Sequence, residues 1–347
     1  MDLSTTQKLD IEYQSALNYC FTILPNVSRS FAIGIEFLTG ELQNSVLIGY
    51  LLCRIIDTIE DDKDLDIALK HKFLQEFPKC FENDSILIEY QYLAKKLTGD
   101  KQHTNLLENI DKVFCVFKNL TEDSKIVLKK CVIEMAYGMA DFVSRYPNGI
   151  RISSVEEYKK YCYYVAGTVG VLLTDLWSIH GRCISKQNLQ LLNKNSILFG
   201  EALQTVNILK DIVWDAKNEN SIYIPESLLR KHGLDHSNFL LPEKEQQSFS
   251  AINEMLILAN DDVNYSLDYV RKLPLANFRI RFFCIFPLLL AIATLREIRK
   301  SENIIFSGKN IKVSRKQVIF IKYYSILASL FNFLLAENVV NKIYFLK

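Results

Sequence analysis

Apolar residues recur at three- and four-residue spacing over long stretches of the chain, roughly 8–22, 40–61, 105–145, 154–178, 186–216, 250–272, 279–300 and 315–340. That spacing is the helical period, and each stretch is longer than an ordinary strand. The pattern predicts an all-α fold. Turn-forming clusters separate several stretches: Pro25-Asn26, Tyr146-Pro147-Asn148-Gly149 and Lys217-Asn218-Glu219-Asn220-Ser221. Pro287 falls inside a helical stretch and predicts a kink there. No repeat, low-complexity tract or Pro/Ser-rich linker interrupts the series, which predicts one domain over 1–347.

Composition narrows the picture. The 347 residues are 49% hydrophobic, with only 12 Gly and 7 Pro, under half the roughly 12% that the two residues average together. Tight turns are therefore few, which disfavours sandwiches, propellers and glycine-looped nucleotide folds. With 41 basic and 40 acidic residues the net charge is +1, so no global field draws nucleic acid, and an anionic ligand must be held locally. The eight cysteines are scattered through apolar runs without CxxC spacing and read as buried, reduced thiols of a cytoplasmic protein. The start of the chain lacks the basic-then-apolar pattern of a secretory signal. Two uncharged runs, 282–295 and 323–336, span 14 residues each, short of the roughly 18–20 that cross a bilayer. They read as buried core helices, with a shallow peripheral membrane contact left open for the second.

Two acidic stripes carry the candidate chemistry. In Arg54-Ile55-Ile56-Asp57-Thr58-Ile59-Glu60-Asp61-Asp62, Asp57, Glu60 and Asp61 stand at i, i+3 and i+4, one face of a helix. Tyr50 and Arg54 extend that stripe, and Asp62 points elsewhere. Further on, Asn207, Asp211 and Asp215 are spaced by four, with Gln204 ahead and Ile208, Leu209, Ile212 and Val213 on the flanks. One acidic cluster is ordinarily a solvated helix face. Two, each embedded among apolar residues, fit magnesium held by a few carboxylates while diphosphate and water complete the octahedron. Neither stripe offers a His or Cys, which disfavours transition metals. His71, His103, His180, His232 and His236 read as surface or loop residues.

These motifs resemble the squalene/phytoene synthase family, with the squalene synthases of that family as the nearest pattern. DTIEDD at 57–62 is similar to its first aspartate-rich motif and NILKDIVWD at 207–215 to its second. Ser28-Arg29-Ser30-Phe31, Gly138-Met139-Ala140-Asp141-Phe142, Tyr161-Cys162-Tyr163-Tyr164-Val165-Ala166-Gly167 and Ala291-Ile292-Ala293-Thr294-Leu295 resemble further blocks. The resemblance implies an isoprenoid-synthase helical fold around a cavity and the head-to-head condensation of two farnesyl diphosphates to presqualene diphosphate, then reduction by NADPH to squalene. It implies magnesium on Asp57, Glu60, Asp61, Asn207, Asp211 and Asp215. It places Ser28, Arg29, Arg54 and Lys210 on diphosphate. It assigns the carbocation chemistry to Phe31, Tyr50, Tyr161 and Phe283, Tyr161 also serving as proton acceptor.

NADPH has no Rossmann fingerprint to bind here, because Gly167-Thr168-Val169-Gly170 lies within a helical run. The resemblance assigns it instead to Asn207 and to the basic segment holding Lys312 and Arg315. Three positions depart from the family pattern: Ser221, four residues before Pro225, stands where an arginine is common, Thr22 where some members carry lysine, and Ser314 displaces the basic residues by one. The rival readings are a dehydrosqualene/phytoene-type or presqualene diphosphate synthase that omits the reduction and, from another class, a non-catalytic helical interaction protein. A monomer or weak oligomer is expected.

Overall fold

Side chains with apolar residues on one face need a second helix to cover them, and this chain supplies fifteen α-helices among its described residues. The computed structural model describes residues 3–28, 30–300 and 311–335, with side chains from Asp10 onward. The helices are α1 (Leu3–Val27), α2 (Ser30–Phe37), α3 (Gly40–Asp61), α4 (Ile67–Glu76), α5 (Leu87–Ala94), α6 (Lys101–Glu108), α7 (Ile110–Lys118), α8 (Glu122–Arg145), α9 (Val155–Cys162), α10 (Thr168–His180), α11 (Lys186–Asn218), α12 (Glu226–Lys231), α13 (Glu245–Lys272), α14 (Phe278–Lys300) and α15 (Arg315–Leu330). No strand occurs among the described residues, only one bridge between Arg151 and Ile222. The all-α expectation holds.

Boundaries differ where side chains compete with the backbone. The stretch 105–145 is three helices, because Asn109 and Asn119 turn their amides back onto the Asn105 and Cys115 carbonyls (2.9 and 2.8 Å) and end α6 and α7. Pro25 does not end α1, which runs on to Val27, and α14 continues through Pro287. The histidines are not free surface groups: all five are half-buried, and His71, His103 and His180 lie on helices.

The chain divides into two compact units, residues 1–145 with 175–180, and residues 146–174 with 181–347. In the first, α3 is central and packs against α1, α2, α4, α6, α7 and α8. Beside it Phe73, Phe77, Phe81, Tyr90, Phe114 and Phe117 form a chain of ring contacts at 5.0–6.3 Å, mostly edge-on as ring quadrupoles favour.

The second unit is organised by α11, which packs along α13 and also meets α9, α14 and a π turn over Tyr163–Gly167. Glycine is required at that crossing. A Cβ at Gly170 would stand 2.0 Å from the Ser196 carbonyl oxygen, and one at Gly200 2.2 Å from that of Ala166. The two backbones touch because neither position has a side chain.

Glu201 of α11 and Asp262 of α13 are both over nine-tenths buried. Burial raises the Glu201 carboxyl to about 7, with Asp262 adding to the rise and Lys159 opposing it. Burial likewise raises Asp262 to about 6. The folded chain thus binds these protons more tightly than the unfolded chain. Its stability is fullest below the unfolded carboxyl range and falls as pH rises through about 7. Glu201→Gln removes that loss, so its melting temperature should exceed the parent's at pH 8, by a gain on the order of 2 kcal/mol, and match it near pH 4.5. Equal melting curves at both pH values would show that the buried carboxyl carries no such cost.

The two apolar runs part company. Phe282, Phe283, Ile285, Phe286, Leu288 and Leu289 of α14 are buried as expected. In α15 the expectation fails: Ser325, Ala328 and Ser329 face inward, while Tyr323 and Leu327 are 65% and 52% exposed. Small inward residues let α15 lie close on α14, which leaves its large residues on the outside.

Candidate active site

In the first unit the final turns of α3 present one stripe of chemistry. Tyr50, Arg54, Asp57 and Asp61 follow at helical spacing, and Glu60 is buried beside them. Arg54 donates from Nη2 to the Tyr50 hydroxyl at 3.2 Å and stands over that ring, 5.7 Å from its centroid. Its Nη1 lies 3.4 Å from an Asp57 oxygen. The Tyr50 hydroxyl donates in turn to the Val27 carbonyl at 2.9 Å, which ties α3 to the segment that holds buried Ser28. The Phe31 ring, on α2, lies 5.7 Å from that of Tyr50. Arg29 lies outside the described residues.

The stripe is electrostatically tense. Burial pushes the Asp57 carboxyl up to about 7; Arg54 opposes the rise and Asp61 adds to it. For Arg54, burial works against the charge, but Tyr50, Asp57 and Asp61 together hold its pKa above the ordinary value. Arg54 Nε has no acceptor among the described residues. A half-buried guanidinium whose buried Nε is an unused donor, beside a carboxylate that resists ionisation, suits a ligand bringing both a cation and oxygen acceptors.

The next carboxylate has a different task. Asp62 is buried and accepts four amide N–H bonds, from Asp64 and Leu65 (3.1 and 2.9 Å) and from Thr98 and Gly99 (2.7 and 3.1 Å). It anchors the loop after α3, as the spacing implied by turning it off the stripe. Buried Lys70 donates to the Glu60 carbonyl at 2.7 Å and closes the same helix end. Sequence reasoning missed His103. Burial and Arg54 hold this half-buried imidazole below its usual pKa, against the pull of Asp100 and Asp61. It therefore stands within electrostatic reach of the stripe. Nothing in its local spacing announces this, because α6 brings it there.

In the second unit α11 carries the other stripe. Asn207 is exposed, Lys210 Nζ lies 3.0 Å from an Asp211 oxygen with both side chains half-exposed, and Asp215 is buried. The Tyr158 hydroxyl donates to Thr205 Oγ1 at 2.9 Å. That bond pins α9 against the stretch of α11 just before Asn207. Tyr161, one turn further along α9, is buried with its ring 5.0 Å from that of Tyr223. The π turn follows directly, and such turns are frequent at functional sites. Phe283 is buried in α14. Ser221 is a structural link here: its hydroxyl accepts from the Ile150 amide at 3.1 Å, and its own amide donates to the Asp215 carbonyl at 3.2 Å. Ser314 caps α15 in a reciprocal pair with Gln317, which leaves Lys312 and Arg315 exposed on either side.

Among the described residues no group of three or more His, Cys, Asp or Glu side chains is placed to cage a metal by itself. The donors present are oxygens. They fit magnesium in its usual protein mode, with one or two carboxylates and the remaining positions left to water and phosphate.

The chain is similar to known proteins over most of its length. The squalene/phytoene synthase family model matches residues 24–317. The squalene synthase of Candida albicans is 31% identical over 297 residues, covering 83% of this chain and 63% of that one. The human squalene synthase is 29% identical, covering 88% of this chain and 68% of its own length. The chain thus spans a little under two thirds of the Candida relative. A solved structure of TcSQS with the ligand BPH1237 superposes with a TM-score of 0.78 at 25% identity, covering 95% of this chain and 96% of that one. A dehydrosqualene synthase shares the fold at a TM-score of 0.62 and 20% identity, covering 91% and 97%. Three described helices, Gly40–Asp61, Val155–His180 and Leu275–Lys300, are long and apolar enough to cross a membrane. The family match runs through both stripes and the helices that hold them, and by it the chain belongs to the squalene/phytoene synthase family.

Proposed function

We propose that the chain joins two farnesyl diphosphates head to head into presqualene diphosphate and reduces that product to squalene with NADPH. The observation that carries this reading is the contact series Phe31, Tyr50, Arg54 and Asp57, which sets two aromatic faces beside a guanidinium with a spare donor. Arg54, with Arg29 and Ser28 nearby in sequence and Lys210 in the second unit, binds diphosphate oxygens. Asp57, Glu60, Asp61, Asn207, Asp211 and Asp215 are the magnesium-side residues. Magnesium, when bound, supplies the charge that neutralises the departing diphosphate.

Loss of diphosphate leaves an allylic cation. Phe31, Tyr50, Tyr161 and Phe283 stabilise such a charge through their ring faces, at about 0.5–2 kcal/mol each, without offering a nucleophile as strong as water. The double bond of the second farnesyl group attacks the cation, and closure of the cyclopropane releases one proton. Tyr161, buried against Tyr223, is the side chain assigned to accept or relay it. The second diphosphate then leaves, the skeleton rearranges, and the final cation takes hydride. Asn207, Lys312 and Arg315 would hold NADPH, which supplies that hydride when bound. Lys312 and Arg315 fit phosphate, being exposed and without an ion pair among the described residues.

The test is incubation of the purified chain with farnesyl diphosphate and magnesium, with and without NADPH, followed by lipid analysis. Squalene formed only with NADPH is the expected product. Dehydrosqualene or presqualene diphosphate as the sole product with NADPH present would replace this reading by the rival without reduction. No isoprenoid product at all would leave the interaction-protein reading.

A further inference from the structure

The helix α15 turns its hydrophobic side away from the protein. Its inward positions include Ile321, Ser325, Ala328 and Ser329, all buried. Outward, Ile319, Phe320, Tyr323 and Leu327 form a stripe that Phe331 and Phe333 continue, each between 48% and 68% exposed. The helix is held in this orientation. Arg281 of α14, fully buried, donates to the Ser329 carbonyl at 2.8 Å and to the Asn332 side chain at 2.6 Å. The Tyr324 hydroxyl donates to the Leu334 carbonyl at 2.6 Å. Rotation that would bury the aromatic stripe breaks these bonds.

Charge tells what covers it. From 311 to 335 the chain carries Lys312, Arg315, Lys316 and Lys322 and no Asp or Glu. All four cations are exposed, and none forms an ion pair among the described residues. Lys316 opens the apolar stripe and Lys322 flanks it. Two copies of this chain meeting face to face would bring four cations against four. An anionic lipid surface meets the same cations with opposite charge, and its headgroup zone favours aromatic rings with lysines beside them.

We infer that the outward face of α15, with Phe331 and Phe333, is a docking surface for an anionic lipid bilayer, lying along its headgroup zone. The aromatic stripe and its two cations Lys316 and Lys322 stand apart from the reaction, whereas Lys312 and Arg315 are the residues proposed for NADPH. If the proposed reaction is correct, the docking also has a purpose, since a triterpene hydrocarbon has no solubility in water and must pass directly to lipid.

The test uses the full chain and large unilamellar vesicles, one set of pure phosphatidylcholine and one with about a third phosphatidylglycerol. Co-sedimentation of the parent should be about tenfold stronger with phosphatidylglycerol and should fall in high salt. The double variant Tyr323→Ser/Leu327→Ser should lose about tenfold in vesicle binding while keeping its circular dichroism, melting temperature and turnover of detergent-dispersed substrate. Both positions are solvent-exposed, so folding is not at risk. Lys322→Glu should weaken binding to the anionic vesicles alone. Three results would overturn the inference: no binding by the parent, binding unchanged in the double variant, or a dimer in light scattering that the double variant turns into a monomer. The last would make this face a contact between copies. Vesicle binding is read without substrate, so its failure and the failure of the proposed reaction are separate outcomes.

Discussion

Asp57→Asn is expected to lower product formation from farnesyl diphosphate about a thousandfold, on the order of 4 kcal/mol in the barrier, with no fall in melting temperature. The two halves of that result have one cause. Burial holds the Asp57 carboxyl near 7, and Arg54 only partly relieves it, so the folded protein gains little from this charge. Asparagine keeps the shape and one oxygen but removes the negative charge, and a neutral amide binds magnesium more weakly than a carboxylate does. The sign of the stability change follows from linkage. A carboxyl raised in the folded state makes the fold less stable as pH climbs toward and through about 7, so the amide should be neutral or mildly stabilising at pH 8. Steady-state product formation at saturating magnesium, paired with a thermal melt, reads both. Activity within tenfold of the parent would remove Asp57 from the magnesium-side residues. A large drop in melting temperature would mean that the Arg54–Asp57 contact is chiefly structural.

Arg281→Met should destabilise the second unit by about 3–5 kcal/mol. Arg281 is fully buried and has no carboxylate partner among the described residues; its acceptors there are main-chain carbonyls and one amide. It donates to the Val270 and Leu273 carbonyls at 2.7 and 2.8 Å, where α13 ends, and to the Ala328 and Ser329 carbonyls at 3.3 and 2.8 Å, near the end of α15. The final carbonyls of a helix lack partners within it and carry partial negative charge, so one guanidinium satisfies two helix ends together. Burial still costs it something: the Arg281 pKa is pushed down to about 10. Methionine fills much of the volume but donates to none of these acceptors, leaving Val270 only its bond from the Leu273 amide. Lysine should recover only part of the loss, because a compact ammonium cannot reach in five directions. Hydrogen exchange should separate this effect from general weakening, with amides of 315–335 losing protection first. A melting temperature within about 2 °C of the parent would show that the carbonyls find other donors.

The period of apolar residues was enough for α3, whose limits are those expected, and for the long course of α11, because a helix is a local structure and its buried face repeats every three or four residues. The same logic placed Tyr50, Arg54 and Asp57 on one stripe and turned Asp62 off it. Short helices such as α2, α4, α5 and α12 escaped because fewer than three turns give too few repeats to stand out. The stretch 105–145 has the period of one helix, because periodicity ignores an asparagine amide folding back on a carbonyl. Nothing near His103 in the sequence sets it apart from a surface group, because its reach toward Arg54 and Asp61 depends on α6, about forty residues beyond them.

By itself, then, the sequence determined the all-α class, the main helices, the family and the composition of both acidic stripes. Each of these rests on residue type and on spacing within one helix. The tertiary structure alone decided which groups are buried and what they meet: the raised Asp57 carboxyl, the paired Glu201 and Asp262, the Arg281 clamp across two helix ends, and the outward aromatic face of α15. Burial and electrostatic environment belong to surfaces brought together from distant parts of the chain, and no local period records which of two apolar faces will find a partner.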